Sequence, residues 1–444
     1  MLAVLSDRTY RRLFTAQVVA LVGTGLATVA LGLLAHDLAG PDAGAVLGTA
    51  LAIKMVTYVG VAPIASAFAA RLPRKTLLVA LDLVRAAIAL ALPWVDAIWQ
   101  VYLLIFLLQA ASAAFTPAFQ ATIPEILTDE RDYTRALSLS RLAYDLESLL
   151  SPLLAAVVLV LVGYDDLFIG TTAGFAGSAL LVLSAALPAN RDPRAGDRTI
   201  AATTRGIRIY LATPRLRGLL AVHLAVAAAG SMVLVNTVTY VRDLLGRDDT
   251  AVAVALAANG LGSLIAAFAL PSILDRFADR TVMLRACTGL AAVLLLAIPT
   301  TALLDGSRWP LLLALWALIG AGSSLVLTPG GRLLRRSAHA ADLPAVFAAD
   351  FSLSHACWLL CYPLAGWLAT AAGMPAALAV LTALTITATV LAVHFWPARD
   401  PEAVEHEHDL DHDHDHLDNA DLVDGRWRHV HPYRIDDLHH RWPA

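Results

Sequence analysis

Residues able to bind a metal or carry a proton gather in three places along this chain of 444 residues. The densest is its C-terminal stretch, which contains EHEHDLDHDHDH (405–416) and nine of the fourteen histidines: His406, His408, His412, His414, His416, His429, His431, His439 and His440. A neutral imidazole ligates transition metals at cytoplasmic pH, and neighbouring carboxylates concentrate cations around it. As a helix the segment stacks His408, His412 and His416 at i, i+4 spacing. As an extended chain it puts His412, His414 and His416 on one side, about 7 Å apart. Its polar, acidic composition predicts no fixed structure until metal binds. Imidazole with carboxylate favours nickel, cobalt, copper or zinc over magnesium or calcium.

The second place is LAYDLESLLSP (142–152), where Glu147 precedes Pro152 by about a turn, with Tyr144, Ser148 and Ser151 on an adjoining face and Asp145 nearly opposite. A carboxyl group inside an apolar helix suits a proton carrier, so Glu147 and Asp145 are the candidate coupling groups. The third is DFSLSHACWLLC (350–361), which sets Asp350, Ser354, Cys357 and Cys361 at helical spacings on one face with His355 beside them. Thiolate and imidazole again suit a soft or borderline dication. His36, followed by Asp37, is a release or gating group or a solvated helix end. His223 stands alone among apolar residues. Asp82 and Arg85, three apart, read as a structural ion pair. Lys54 opposes a bare cation route unless it snorkels outward or pairs with an acid.

The elements holding these residues follow from composition. With 58% hydrophobic and 15% charged residues and mean hydropathy +0.67, this is no soluble enzyme; it is an all-α integral membrane protein. Apolar stretches long enough to cross a bilayer recur about twelve times, over 10–36, 44–70, 76–95, 99–124, 136–162, 166–188, 216–241, 250–274, 281–304, 309–334, 343–371 and 374–397. The first lacks a cleavage pattern and reads as a retained span. Alternate loops are rich in Arg and the others carry Asp, which predicts both termini, and the His-rich tail, in the cytoplasm. The expected location is a bacterial cytoplasmic membrane. All three cysteines fall in spans, so no disulfide framework is expected. No phosphate-binding GxxxxGK[ST] motif occurs, and nothing suggests a nucleic-acid partner.

A charged stretch at the midpoint divides the spans six and six, as in transporters built from repeats. The expected divisions are a first bundle (1–188), a central loop (189–215), a second bundle (216–397) and the tail (398–444). ASAFAARLPRKTLL (65–78) and LPSILDRFADRTVML (270–284) align around Arg71 and Arg276. Here the chain resembles the major facilitator superfamily, whose loop motif reads approximately G-x-x-x-D-R-x-G-R-[RK]. The first copy keeps Arg71, Arg74 and Lys75 but has Ser66, Ala70 and Pro73 in place of Gly, Asp and Gly. The second keeps Asp275, Arg276 and Arg280 and departs at Pro271, Ala278 and Asp279. The resemblance implies a twelve-helix fold in two six-helix halves, without enzymatic activity or cofactor, in which these loops gate the outward-facing state through charge contacts with neighbouring helix ends. LLVALDLVRAAIAL (77–90), FTPAFQATIPEIL (115–127) and SLLSPLLAAVVLVLVG (148–163) resemble spans three to five of facilitator exporters of drugs and siderophores. With the His-rich tail, the whole resembles the nickel-resistance exporters of that superfamily. The resemblance implies a metal ion as substrate and tail ligand, protons as the exchanged ion and lipid as surroundings. Proton-coupled efflux of a drug or siderophore is the alternative.

Overall fold

Hydroxyl side chains inside the spans return their hydrogen bonds to the backbone one turn earlier: Thr24 to Ala20 O at 3.0 Å, Thr49 to Ala45 O at 2.8 Å and Thr382 to Leu378 O at 2.7 Å. A polar group in hydrocarbon has no water to bond, so the helix itself satisfies it. The outward faces are apolar instead: Leu161 is 81% exposed, Phe268 77%, and Ile265, Leu296 and Val390 are also exposed. Such a surface needs lipid against it.

The computed structural model describes residues 2–69, 73–127, 129, 132, 135–136, 139–140, 143, 147, 151, 154–187, 195–301, 305–339, 342–398, 403–409, 421–423, 426–435, 439 and 442. Its helices are α1 (Arg8–Ala39), α2 (Ala43–Ala69), α3 (Arg74–Ala91), α4 (Ile98–Ile126), α5 (154–159, with helical positions at Glu147 and Ser151), α6 (Tyr164–Ser184), α7 (Ala195–Ala212), α8 (Pro214–Thr239), α9 (Asp249–Leu274), α10 (Asp279–Thr300), α11 (Asp305–Leu327), α12 (Gly330–Ser337), α13 (Leu343–Ala372) and α14 (Met374–Phe395). Among the described residues there are ten candidate membrane spans, the first of which, Arg8–Gly60, contains two of these helices, α1 and α2. The bend between them is a 3-10 turn at Gly40–Asp42, where Gly40 has φ +52°, a conformation glycine adopts without strain.

The two halves repeat one packing scheme. In the first, α1 packs on α6, α2 on α4, and α3 on α4 and α6. In the second, α8 packs on α14, α9 on α11, and α10 on α11 and α14. Close crossings are built on glycine: a Cβ on Gly174 would stand 3.0 Å from Val19 O in the α1/α6 contact, and one on Gly262 would stand 1.8 Å from Ala317 O in the α9/α11 contact. Between the halves the main contact is α2 on α13. There a Cβ on Gly48 would come within 2.6 Å of Tyr362 O, and one on Gly366 within 2.0 Å of Gly44 O. Small residues let two backbones approach in a medium that supplies no hydrophobic drive between helices.

Two expectations are corrected. The charged midpoint, read as loop, carries the helix α7, because its apolar residues recur with helical period; Ile209 and Tyr210 are fully buried, and Arg205 Nε meets Asp342 Oδ1 at 2.6 Å at the start of α13. The tenth span runs over Arg308–Ser337, in keeping with the expected 309–334, with a break in the helix after Leu327. Pro329 precedes a separate short helix, α12, that buries Leu333 and Leu334. The tail is a three-stranded antiparallel sheet over its described residues, in the order β1 (Ala403–Asp409), β3 (Arg426–Pro432), β2 (Asp421–Val423). The register of β1 on β3 sets Glu407 opposite Arg428 and Asp409 opposite Arg426.

Candidate transport site

Glu147 is held against α1 and faces a cation on α2. Ser151, one turn further along, donates to Glu147 Oε1 at 3.4 Å. Gly25 of α1 makes the room: a Cβ there would lie 1.8 Å from Ser151 Oγ and 2.8 Å from Glu147 Oε1. Lys54 and Glu147 lie within electrostatic range of each other. Lys54 Nζ also stands 5.9 Å from the ring centre of Tyr58 on the same helix. Asp145, the other candidate coupling group, lies outside the described residues, as does Tyr144.

Across the seam, α13 answers with an aromatic pair. Phe351 and His355, one turn apart, have ring centres 3.9 Å apart. Tyr58 of the first half meets them edge-on, 6.2 Å from Phe351 and 5.7 Å from His355. His355 Nδ1 lies 2.7 Å from Phe351 O. Lys54 is within electrostatic range of His355 as well.

Behind this seam the second half holds its own carboxylate. Asp350 Oδ1 accepts from Tyr210 OH at 2.9 Å and lies 3.2 Å from His223 Nε2. His223, isolated in sequence, is thus half of a pair. The two cysteines do not join it. Cys361 is fully buried and Cys357 nearly so, with Cys357 Sγ 4.0 Å from Leu220 O of α8. Packing explains them, since a protonated thiol is a small apolar side chain. Asp350 and the cysteines do share the α8 side of α13, whereas His355 turns toward α2. Among the described residues no group of three or more His, Cys, Asp or Glu side chains is placed to hold a metal ion.

His36 closes one end of the seam. Its Nε2 lies 2.7 Å from Asp243 Oδ1, across from the first half to the second. Arg242 Nη2 stands 3.8 Å from Asp37 Oδ1, and Arg242 also pairs with Asp249. Arg242 and Asp243 lie in a π-helical turn, Tyr240–Leu244, that extends α8. The partners His36 and Asp243 lie 207 residues apart, so sequence spacing did not reveal the partnership.

A profile of the Major Facilitator Superfamily matches residues 13–303 and, in a second match, 219–430. This chain belongs to the Major Facilitator Superfamily. Solved facilitators share its fold: a point mutant of the nucleoside transporter NupG (11% identity, TM-score 0.68, covering 88% of this chain and 100% of that one) and a bacterial homologue of the human lysosomal transporter Spinster, in an inward-facing and occupied conformation (11%, 0.67, 88% and 96%). A D-xylose-proton symporter is similar as well (13%, 0.64, 87% and 98%). No curated protein matches the chain in sequence.

In this facilitator the two loop copies make equivalent contacts. Lys75, at the start of α3, donates to Ala185 O at the end of α6 at 2.9 Å. Arg280, its aligned counterpart at the start of α10, donates to Trp396 O at the end of α14 at 3.0 Å. A cation at a helix C-terminus is stabilised by the dipole and by unpaired carbonyls. These contacts stay within each half. Arg332 reaches Asp279 at 3.8 Å; Arg71 lies outside the described residues. Asp82 and Arg85 form the expected ion pair, with Ser178 donating to Asp82 at 2.8 Å and the Arg85 guanidinium lying 4.1 Å from the ring centre of Phe115.

The tail end docks on the second half. Tyr433, Ile435 and His439 are buried. The Tyr433 ring centre is 4.7 Å from His439 and 5.2 Å from Trp442, and the Arg215 guanidinium of α8 lies 5.0 Å from the Trp442 ring centre. His439 is thus buried against Tyr433. The register sets His406 opposite His429, with His408 and His431 at neighbouring positions; His412, His414, His416 and His440 lie outside the described residues.

Proposed function

We propose that this chain is a proton-coupled secondary transporter that moves a small organic solute by alternating access of its two halves, with Glu147 as the proton carrier. The observation that carries this reading is an aromatic cluster drawn from both halves, with Lys54 beside its Tyr58 ring and the carboxylate Glu147, held by Ser151, within electrostatic range of that lysine. A carboxylate beside an ammonium in a poorly hydrated interior gives up or takes a proton as its neighbour's partners change. The ammonium also weighs against a bare dication: at roughly 6 Å and an effective dielectric of about 20 the two repel by about 5 kcal/mol. Facilitators of similar fold whose names refer to nucleoside and D-xylose are in keeping with an organic cargo.

A second reading is favoured by one feature, the nine tail histidines: export of nickel, cobalt or a related ion from the cytoplasm by proton antiport, with the tail capturing the ion. The two are separated by flux into inverted membrane vesicles with an imposed proton gradient. The first reading expects gradient-driven accumulation of organic probes that is lost in Glu147→Gln, with no nickel accumulation. Gradient-driven nickel accumulation would move the assignment to metal export. Undiminished proton-driven flux in Glu147→Gln would remove Glu147 from the mechanism.

A further inference from the structure

The cluster at the seam has a specific chemistry. Tyr58 comes from the first half and Phe351 and His355 from the second, with ring-centre separations of 3.9 to 6.2 Å. Phe351 is 48% exposed and lies about two turns into α13, with its ring beside that of His355. The Lys54 ammonium stands beside this group, 5.9 Å from the Tyr58 ring centre. Aromatic faces together with one ammonium suit a ring that carries a negative charge.

The surrounding charges decide what else must happen on binding. On α2 these are Lys54 and Tyr58; on α5, Glu147 with its donor Ser151. On α3, Arg85 is already paired with Asp82. On α13, Asp350 is engaged by Tyr210 of α7 and His223 of α8, and His355 Nδ1 is engaged with Phe351 O. Glu147 is the described carboxylate within electrostatic range of Lys54, and its hydrogen bond from Ser151 is long at 3.4 Å. If an anionic guest takes Lys54, two anions share one cation, and one of them must be neutralised. Glu147 is that group, and water supplies its proton.

We infer that the seam between the halves binds an aromatic organic anion at Lys54, and that binding places a proton on Glu147, so that anion and proton cross the membrane together. The inference rests on the proposed transporter reading and deepens it by naming the substrate class and the sign of coupling. The occupied site is then neutral overall, which lets it cross the low-dielectric interior without a moving net charge.

The test uses the purified full chain in lipid nanodiscs, weakly buffered near neutrality with a pH indicator. It is titrated separately with p-aminohippurate, 2-naphthalenesulfonate, tetraphenylphosphonium and nickel. The expected result is saturable binding of the two aromatic anions with uptake of about one proton per anion. Lys54→Gln weakens that binding by about tenfold or more and Lys54→Arg retains it. Glu147→Gln binds the anions without proton uptake. Proton release on anion binding, no binding of either anion, or tighter binding of tetraphenylphosphonium than of the anions overturns the inference. If nickel or the phosphonium ion displaces a proton from the wild type but not from Glu147→Gln, the inference fails while the proton-coupled reading stands. If Glu147→Gln also keeps full gradient-driven flux in vesicles, both fail.

Discussion

The first half sets its seam carboxylate, Glu147, against a lysine, whereas the second half ties its own, Asp350, to a histidine and a tyrosine. Both halves descend through the same helix pairings, and both use an aligned cation, Lys75 or Arg280, to cap the last helix of the bundle. The difference teaches that packing and chemistry are distributed separately. The repeated scaffold fixes where helices cross, while the seam residues are free to differ because they touch the opposite half or the solute instead of the repeat's own core. A Lys/Glu pair can exchange partners with a charged guest; a carboxylate already satisfied by two donors has less to gain.

That contrast can be broken by experiment. The largest effect is expected at Glu147→Gln, which should abolish gradient-driven transport in vesicles, while Asp350→Asn should lower the rate and keep the coupling; equal loss in both would erase the distinction. Next comes the contact that both halves share. Gly48→Leu must displace Tyr362 of the opposite helix, and about tenfold slower transport is expected with the halves individually folded, an effect of about 1.4 kcal/mol on the barrier, checked by flux alongside circular dichroism. Removing the tail after Asp400 exposes the face that Tyr433, Ile435 and Trp442 cover and should cost the second half about 2–4 kcal/mol. The Tm should then drop by about 5–10 °C, whereas an unchanged Tm would mean that the docking is incidental. His36→Ala removes a link between the halves and should shift their conformational balance by about fivefold, or about 1 kcal/mol, read by spectroscopic distance measurements across that end. The smallest effects belong to Lys75→Ala and Arg280→Ala, about 0.5–1 kcal/mol each; unequal losses in thermal denaturation would show that the two loops are not equivalent.

Much of the fold was legible because a bilayer leaves few options: runs of apolar residues about 20 long must become helices, and the midpoint charges and paired loops marked the duplication. The sequence also pointed to Glu147, to Asp350 and to the Asp82/Arg85 pair, since an ionisable residue in a span stands out against its surroundings. It did not show what those residues touch. Gly25 looked like any small residue until its neighbours, Glu147 and Ser151, were known. Tyr210 sat in a stretch read as loop, and for Cys357 and Cys361 periodicity gave a shared face without saying what covers it. His36 found Asp243 207 residues away.

Composition and hydropathy by themselves determined that this protein spans a membrane as two six-helix halves, because burial of apolar length is a local property that each segment declares alone. Partnership was decided only by the tertiary structure. Which cation faces Glu147, which rings meet at the seam, and that the tail folds back onto Arg215 all depend on where helices from distant parts of the chain cross, and a crossing is set by the fit of two surfaces that no single segment contains.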